Sequence, residues 1–327
     1  MFSKVRGFLG FAFAALAVLA VGIGPVQAQK DKPDFQVIML GVGTPVPFMH
    51  RFGPATLVIA GDKYLLFDAG RGVTQRLWQD KIPLGRVDVL FLTHLHSDHV
   101  VGIPDLLLTG WLTSPFGKRK GNFVVRGPEG TESMMEHMVK AFAADIDIRV
   151  KDQNFSRVGV TPDALDIVPG PVYSEGGIKV TAIDVNHGEK IKPTVGYRID
   201  YKGRSVVISG DTKYLPALAK AAEGVDLFIH SIAGAKKELL ESNQSWKNII
   251  AHHTEPEDVG RIFAAAKPKM GALYHLVTLT NGKIKPPSLG DLMTRLKTTY
   301  NGAVTMGADR TRFIIGKAGV TVIAPPK

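Results

Sequence analysis

The chain has 327 residues, 45% of them hydrophobic and 21% charged, with 40 Lys and Arg against 30 Asp and Glu for a formal charge of +10. It is too apolar to be disordered and long enough for one large domain or two modest ones. With no cysteine anywhere, disulfides and thiolate metal ligands are excluded, and any bound metal must take nitrogen and oxygen ligands.

The chain opens with a short basic region, MFSKVRG, then the apolar run FLGFAFAALAVLAVGIG, then PVQA before Gln29. This is the pattern of a cleaved secretory leader over residues 1–28. The apolar run is short for a membrane span and no stop-transfer cluster follows it. The expectation is therefore a chain of residues 29–327 located in the periplasm or secreted, with no stable membrane association once the leader is removed. Losing Lys4 and Arg6 with the leader still leaves an excess of positive charge, which attracts anionic substrates. The basic residues are scattered, however, and the short cluster GKRKG (117–121) makes no dedicated nucleic-acid face.

After the leader, FQVIML (35–40), TLVIA (56–60) and KYLLFD (63–68) predict three consecutive strands divided by Gly and Pro turns. The phrase LGVGT overlaps the first of them but makes no dinucleotide loop. Val46 stands where a third glycine is needed, and Pro45 and Pro47 disrupt the helix that would follow. VDVLFLT, NFVVRG, IKVTAIDV, RSVVISG, VDLFIH and MGALYH continue the series of apolar strands. Between them TESMMEHMVKAFAAD (131–145) has helical period, with Met134, Met135, Met138, Val139 and Phe142 sharing one face as core. PEDVGRIFAAAKP (256–268) predicts another helix, with Glu257 and Asp258 near its positive end. Residues 160–177 read as a loop excursion. Strands alternating with helices imply a layered α/β domain without an internal linker.

Ligand-type side chains collect where the apolar strands end. THLHSDHV (93–100) follows VDVLFLT and carries His94, His96, Asp98 and His99; His187 follows IKVTAIDVN, Asp211 follows RSVVISG, His275 follows MGALY, and Asp68 ends KYLLF. Residues just past different strands converge at one edge of a sheet. The spacing lets His94 and His96 face one point and Asp98 and His99 a second. That suits two metals about 3.5–4 Å apart, bridged by a carboxylate and a hydroxide, and makes hydrolysis the natural reaction class. Imidazole and carboxylate ligands fit zinc, with manganese or iron as alternatives.

The H-x-H-x-D-H motif followed by separate His, Asp and His residues resembles the metallo-β-lactamase superfamily over nearly all of the chain after the leader. The phrases LGVGTPVPFMHRFGPATLVIAGDKYLLFDAGRGV, HSDHVVGIPDLLLTGW, RGPEGT, GYRIDYKGRSVVISGDT and HTEPEDVGRIF are similar to the branch that contains ribonuclease Z and arylsulfatase-like hydrolases. The resemblance implies an αβ/βα four-layer sandwich of two mixed β-sheets flanked by helices. It implies that His94, His96 and His187 bind one Zn2+, that Asp98, His99 and His275 bind a second, and that Asp211 bridges them. Mn2+ or Fe2+ could replace zinc. It further implies that His253 approaches the leaving group or the developing charge, with neighbouring His252 as the alternative. Asp98 could also handle a proton of the nucleophile, and Asp68 would orient the metal-site turns rather than bind metal.

The chain departs from the branch in two places. HSIAG at His230 replaces a His-Glu pair, and residues 152–177 hold few basic residues where the RNA-processing members resemble one another in a long basic arm. True β-lactamases usually lack an aspartate at the position of Asp211. The reading is thus an exported dinuclear zinc hydrolase of a small anionic ester, phosphodiester or aryl sulfate, with no specific nucleic-acid partner and a homodimer as an admissible assembly. Alternatives are a lactone or carboxylic ester hydrolase, a ribonuclease Z-type endoribonuclease, and a non-catalytic periplasmic metal-binding protein. Loops 48–54, 111–120 and 160–177 are the expected specificity determinants; Phe48, Trp111 and Trp246 read first as ordinary packing residues, with a place in the pocket wall as the alternative.

Overall fold

The computed structural model describes residues 33–326, so the leader assigned to residues 1–28 lies outside the described residues. In chain order the strands are β1 (Phe35–Gly41), β2 (Ala55–Ala60), β3 (Lys63–Phe67), β4 (Val89–Phe91), β5 (Phe123–Gly127), β6 (Pro162–Asp166), β7 (Gly170–Glu175), β8 (Ile178–Asp184), β9 (Val195–Tyr201), β10 (Arg204–Ile208), β11 (Leu227–Gly234), β12 (Met270–Thr278), β13 (Val304–Met306), β14 (Thr311–Gly316) and β15 (Gly319–Ile323). They form two mixed sheets, ordered β15-β14-β1-β2-β3-β4-β5-β6 and β13-β12-β11-β10-β9-β8-β7. This is the αβ/βα sandwich. Within it β3 to β6 are parallel in one sheet and β10 to β13 in the other.

The central strands read as continuous apolar runs because both of their faces are covered. Successive side chains point to opposite faces. Val37, Met39, Val58, Leu65, Phe67 and Phe91 enter the core between the sheets, which also contains Val180, Ile199 and Ile229. Ile38, Leu40, Leu57, Leu66 and Leu90 turn the other way, onto the helices at 73–79, 103–111 and 131–141. The helices Pro256–Ala266 and Leu289–Lys297 cover the second sheet through Val259, Ile262, Phe263, Leu292 and Leu296. Each such fully buried side chain contributes about 1.5–3 kcal/mol. In the middle of the sandwich Phe67 and Phe91 stack at 5.1 Å between ring centres, with the ring of Tyr197 5.2 Å and 5.5 Å from them. Buried Tyr197 donates its hydroxyl to the Leu92 carbonyl at 2.6 Å, and the Val195 amide reaches the Thr93 carbonyl at 2.9 Å. These two bonds cross from the second sheet to the two residues that follow β4 and precede His94.

Two expectations are corrected. Residues 160–177 are not a loop: they hold β6 and β7, an edge strand of each sheet. Edge strands are only half covered, so β6 alternates half-buried and exposed residues instead of showing an apolar run. The helix expected over 131–145 breaks at Phe142 into Thr131–Ala141 and Ala143–Gln153. The turn leaves Phe142 exposed while bringing Ile146 and Val150 onto the core that Met134, Met135, Met138 and Val139 also join. Among the described residues no helix is long and apolar enough to cross a membrane.

The segment 111–120 is a clamp on the core. Trp111 is buried and donates from Nε1 to the Ser156 carbonyl at 2.7 Å. Arg119, also buried, donates to the carbonyls of Leu106 and Leu107 at 2.9 Å each and to that of Gly159 at 3.3 Å. Its guanidinium closes the carbonyl end of helix Ile103–Trp111, where positive charge is favoured. A Cβ on Gly110 would lie 2.4 Å from an Arg119 nitrogen, so any larger residue there must displace the guanidinium. Burial without a carboxylate pulls the Arg119 pKa down to about 10. Arg119→Met removes these three buried hydrogen bonds and is expected to lower unfolding stability by about 2–3 kcal/mol; a denaturant midpoint equal to the wild type would contradict this.

Candidate metal centre

The parallel strands deliver their last residues to one edge of the sandwich, where the site is built. Asp68 follows β3 and His94 follows β4, and the turn that begins at His94 continues into the short helix Ser97–Val100 with Asp98 and His99. His187 follows β8, Asp211 follows β10, and His275 lies within β12. A one-residue bulge explains how a mid-strand residue points into the site. Ser231 pairs with Tyr274 and Ile232 with Leu276, which leaves His275 as the extra residue at φ 44°. The turn before Asp211 needs Gly210, which has φ 63°, and a Cβ there would sit 2.7 Å from the Val195 carbonyl.

All seven expected ligand residues come together. Grouped by nitrogen and oxygen atoms within 4.8 Å of one another, His94, His96 and His187 form one cluster, and Asp98, His99 and His275 another. Asp211 joins a cluster with His94 and His99, and a further one with His187 and His253. Its Oδ2 lies 3.3 Å from His275 Nε2, 3.6 Å from His99 Nε2, and 3.7 Å from both His187 Nε2 and His253 Nε2. Asp98 Oδ2 is 3.2 Å from His275 Nε2 and 3.7 Å from His99 Nε2. On the other side His96 Nδ1 stands 2.9 Å from His94 Nε2 and 3.3 Å from His187 Nε2.

The outward nitrogens fix which atoms face inward. His99 Nδ1 donates to Asp68 Oδ2 at 2.8 Å, His187 Nδ1 to the His252 carbonyl at 2.8 Å, and His253 Nδ1 to the Ile249 carbonyl at 2.7 Å. Holding the Nδ1 proton in this way presents Nε2 to a metal. Asp68 also accepts from the Thr93 amide at 2.8 Å and the Thr93 hydroxyl at 2.9 Å, so it binds two strand ends and one imidazole at once. The hydroxyl of Thr254 donates to the Thr212 carbonyl at 2.7 Å, and the Asn186 amide to the Thr212 hydroxyl at 3.2 Å. These threonines, which the sequence reading passed over, tie the turns of His187, Asp211 and His253 together.

The charges show what the cluster lacks. Burial pushes His94 well below the ordinary histidine range and His187 down to about 4. Burial works against charge on His99 and His253 as well, but the carboxylates of Asp68 and Asp211 outweigh it at His99, as that of Asp211 does at His253, and both are raised. Asp211 is held well below the usual carboxylate range, because His275 and His99 overcome the burial that opposes its ionisation. Asp211 Oδ1 and His99 Nε2 are buried without a hydrogen-bond partner, a costly arrangement in a protein interior unless something compensates it. An all-nitrogen-and-oxygen donor set of this kind fits divalent zinc.

His252 lines the cleft beside this cluster, but it is His253 whose nitrogen faces Asp211. His230 stays outside: fully buried, it turns Nδ1 to the Ser231 carbonyl at 2.6 Å and packs near Phe228 and Phe263. Neither Trp111 nor Trp246 lines the cleft, and neither does any residue of 160–177, so those expected specificity elements are corrected. Of the apolar positions near loop 48–54, Val46 lines it whereas Phe48 does not. Asp68→Asn keeps the shape and one acceptor but faces His99 with a donor. The expected result is a folded protein whose zinc affinity falls by about 10- to 100-fold, read by competition with a chelating dye; unchanged affinity would remove Asp68 from this role.

The profile of the beta-lactamase superfamily domain matches residues 63–276. A protein named Ribonuclease Z from Mycolicibacterium gilvum (strain PYR-GCK) is 30% identical over 279 residues, 85% of this chain and 95% of that protein. The protein of the same name from Mycobacterium marinum (strain ATCC BAA-535 / M) is 31% identical over 240 residues, 73% of this chain and 84% of that one. Among solved structures, a metallo-β-lactamase-fold protein from Bacillus subtilis superposes with a TM-score of 0.65 at 21% identity, covering 85% of this chain and 98% of that one. The short form of human tRNase Z superposes with a TM-score of 0.61 at 19% identity, covering 89% and 100%. With the fold, the superfamily profile and these relatives in agreement, the chain belongs to the metallo-β-lactamase superfamily, on its ribonuclease Z-like side, and is a metal-dependent hydrolase of ester bonds.

Proposed function

We propose that this hydrolase cleaves phosphodiesters at a pair of zinc ions held by His94, His96 and His187 on one side and Asp98, His99 and His275 on the other, with Asp211 between them. The observation that carries the reading is the buried Asp211 carboxylate, which faces His99, His187, His253 and His275 at 3.3–3.7 Å with Asp98 beside it. Zinc there supplies Lewis acidity and lowers the pKa of water. The phosphodiester is favoured over the aryl sulfate because the relatives of 30% identity carry the name ribonuclease, and the bond cut in RNA is a phosphodiester. Export rests on residues 1–28 alone.

Within this reading the chain's own groups divide the work. Asp98 orients the attacking water and accepts its proton. His253, pinned through Nδ1 by the Ile249 carbonyl, keeps its free Nε2 toward the cleft. From there it gives a proton to the leaving oxygen. The carboxylate of Asp211 outweighs burial and raises the His253 pKa.

The test compares a nitrophenyl phosphodiester, a nitrophenyl sulfate and an aryl lactone on the purified chain, with and without zinc. The expected outcome is zinc-dependent turnover of the phosphodiester above the other two. Asp211→Ala should lower that turnover by more than about 100-fold, beyond the effect of an outer partner, and should lose metal as well. Preference for the sulfate or the lactone, or normal turnover with two bound zinc ions in Asp211→Ala, would overturn the reading.

A further inference from the structure

The cleft beside the centre, about 400 Å³, has two unlike walls. One is the centre itself. The other is made by Val46, Ile191, Ile249, Val277 and Leu279, contributed by the loop after β1, the loop after His187, the helix Gln244–Ala251 and strand β12 with its continuation. Among the described residues no Lys or Arg lines this cleft. The cations lie next door. A second pocket of about 240 Å³ shares His96 and Ile191 with the first and is lined by Lys190 and Lys192, both exposed, and by Glu129, with Lys192 also 3.4 Å from Glu189. Ile191 therefore divides an apolar lobe from a charged one that carries both lysines, and both open onto His96.

This division matters for what can bind. A polynucleotide presents a phosphate at every step, and each one gains from a cationic contact; the apolar lobe offers none. Apolar surface is instead complementary to an apolar substituent, whose burial supplies binding energy in proportion to its area. His253 lines the apolar lobe, so the group that leaves with its proton departs into that lobe.

Resting on the phosphodiester reading, we propose that the substrate is a small diester whose leaving alcohol or phenol is apolar and seats against Ile191, Ile249, Val277 and Leu279, while its other substituent points to Lys190 and Lys192. In the reaction the oxygen of water bonds to phosphorus and the bond from phosphorus to the apolar alcohol's oxygen breaks. One proton of the water is balanced by the proton the alcohol takes up, and the second is released to solvent as the monoester ionises.

Two non-hydrolysable phosphinates with the same charge and the same two phosphoryl oxygens test this: methyl(phenyl)phosphinate and dimethylphosphinate, titrated calorimetrically into the zinc-loaded chain. The phenyl compound should bind about 10- to 100-fold more tightly, the factor expected for burying one phenyl-sized surface. In the double variant Ile191→Asn with Ile249→Asn the preference should shrink to about threefold or less, with zinc content retained. Should the pair fail to fold, Ile191→Asn alone, on a half-exposed loop, makes the same comparison. Equal affinities in the wild type, or a preference that survives the variant, would overturn the assignment of the apolar lobe while phosphodiester turnover still stood. Absence of both binding and phosphodiester turnover would overturn the phosphodiester reading and this inference with it.

Discussion

Two buried carboxylates at the same edge of the sandwich, Asp68 after a strand of one sheet and Asp211 after a strand of the other, set the terms for the rest of the site. An ionised carboxylate withdrawn from water is stable only when its oxygens are matched by donors or cations. Asp68 meets that condition with protein alone: a backbone amide, a threonine hydroxyl and an imidazole, all within 2.9 Å. Asp211 does not. Its nearest imidazole nitrogens stand at 3.3 Å or beyond, and Oδ1 has no partner. The same fold satisfies one carboxylate and withholds satisfaction from the other, which is what a centre must do if it is to be rigid before a cation arrives and still bind it. Asp68 holds the frame; Asp211 supplies the demand.

The frame is stiff because each ligand follows a strand fixed in the sandwich. Tyr197 bonds the carbonyl of Leu92 and Val195 that of Thr93, so the second sheet grips the turn of His94 directly. Asp68 then grips it from β3 and passes the constraint to His99. Positions set by packed strands vary less than positions set by loops, and a metal site tolerates little variation in ligand geometry. His275 is the exception that needed a device, since a regular strand would alternate it away from its neighbours' face. The bulge opposite Ser231 and Ile232 turns it in, at the cost of a left-handed backbone at a non-glycine residue.

Much of this was legible in the sequence, for physical reasons that also explain the rest. Strands covered on both faces must be apolar along their whole length, so β1, β3, β10 and β12 announce themselves, and Asp68 after β3, Asp211 after β10 and His275 within β12 stand out against them. β6, β7 and β15 are edge strands with exposed faces and carry no such run. The helix break at Phe142 leaves the 3.6-residue period unchanged on both sides, so periodicity alone reads straight through it. Asp68 could be placed beside the metal turns from its position after β3, but its bond to His99 depends on a parallel pairing of β3 with β4 that no local pattern encodes. The cleft wall was invisible for the same reason. Ile191, Ile249 and Val277 look like ordinary apolar residues until the fold brings three separate elements to one side of His253.

The side of the centre nearest the cleft is held differently from the rest. His187 depends on the backbone carbonyl of His252, and His253 on that of Ile249, both at the end of helix Gln244–Ala251. That helix packs through Ile250 on a small cluster with Ala233 and Val277 that is separate from the main core. With so little buried area behind it, this helix is the part of the site whose local opening costs least. Its displacement would move Ile249 in the cleft wall and withdraw the acceptors of two imidazoles together. Occupancy of the cleft and the aim of His187 and His253 are therefore coupled through one short helix, whereas the turn of His94 and His99 is held from the sheets through Thr93 and Asp68.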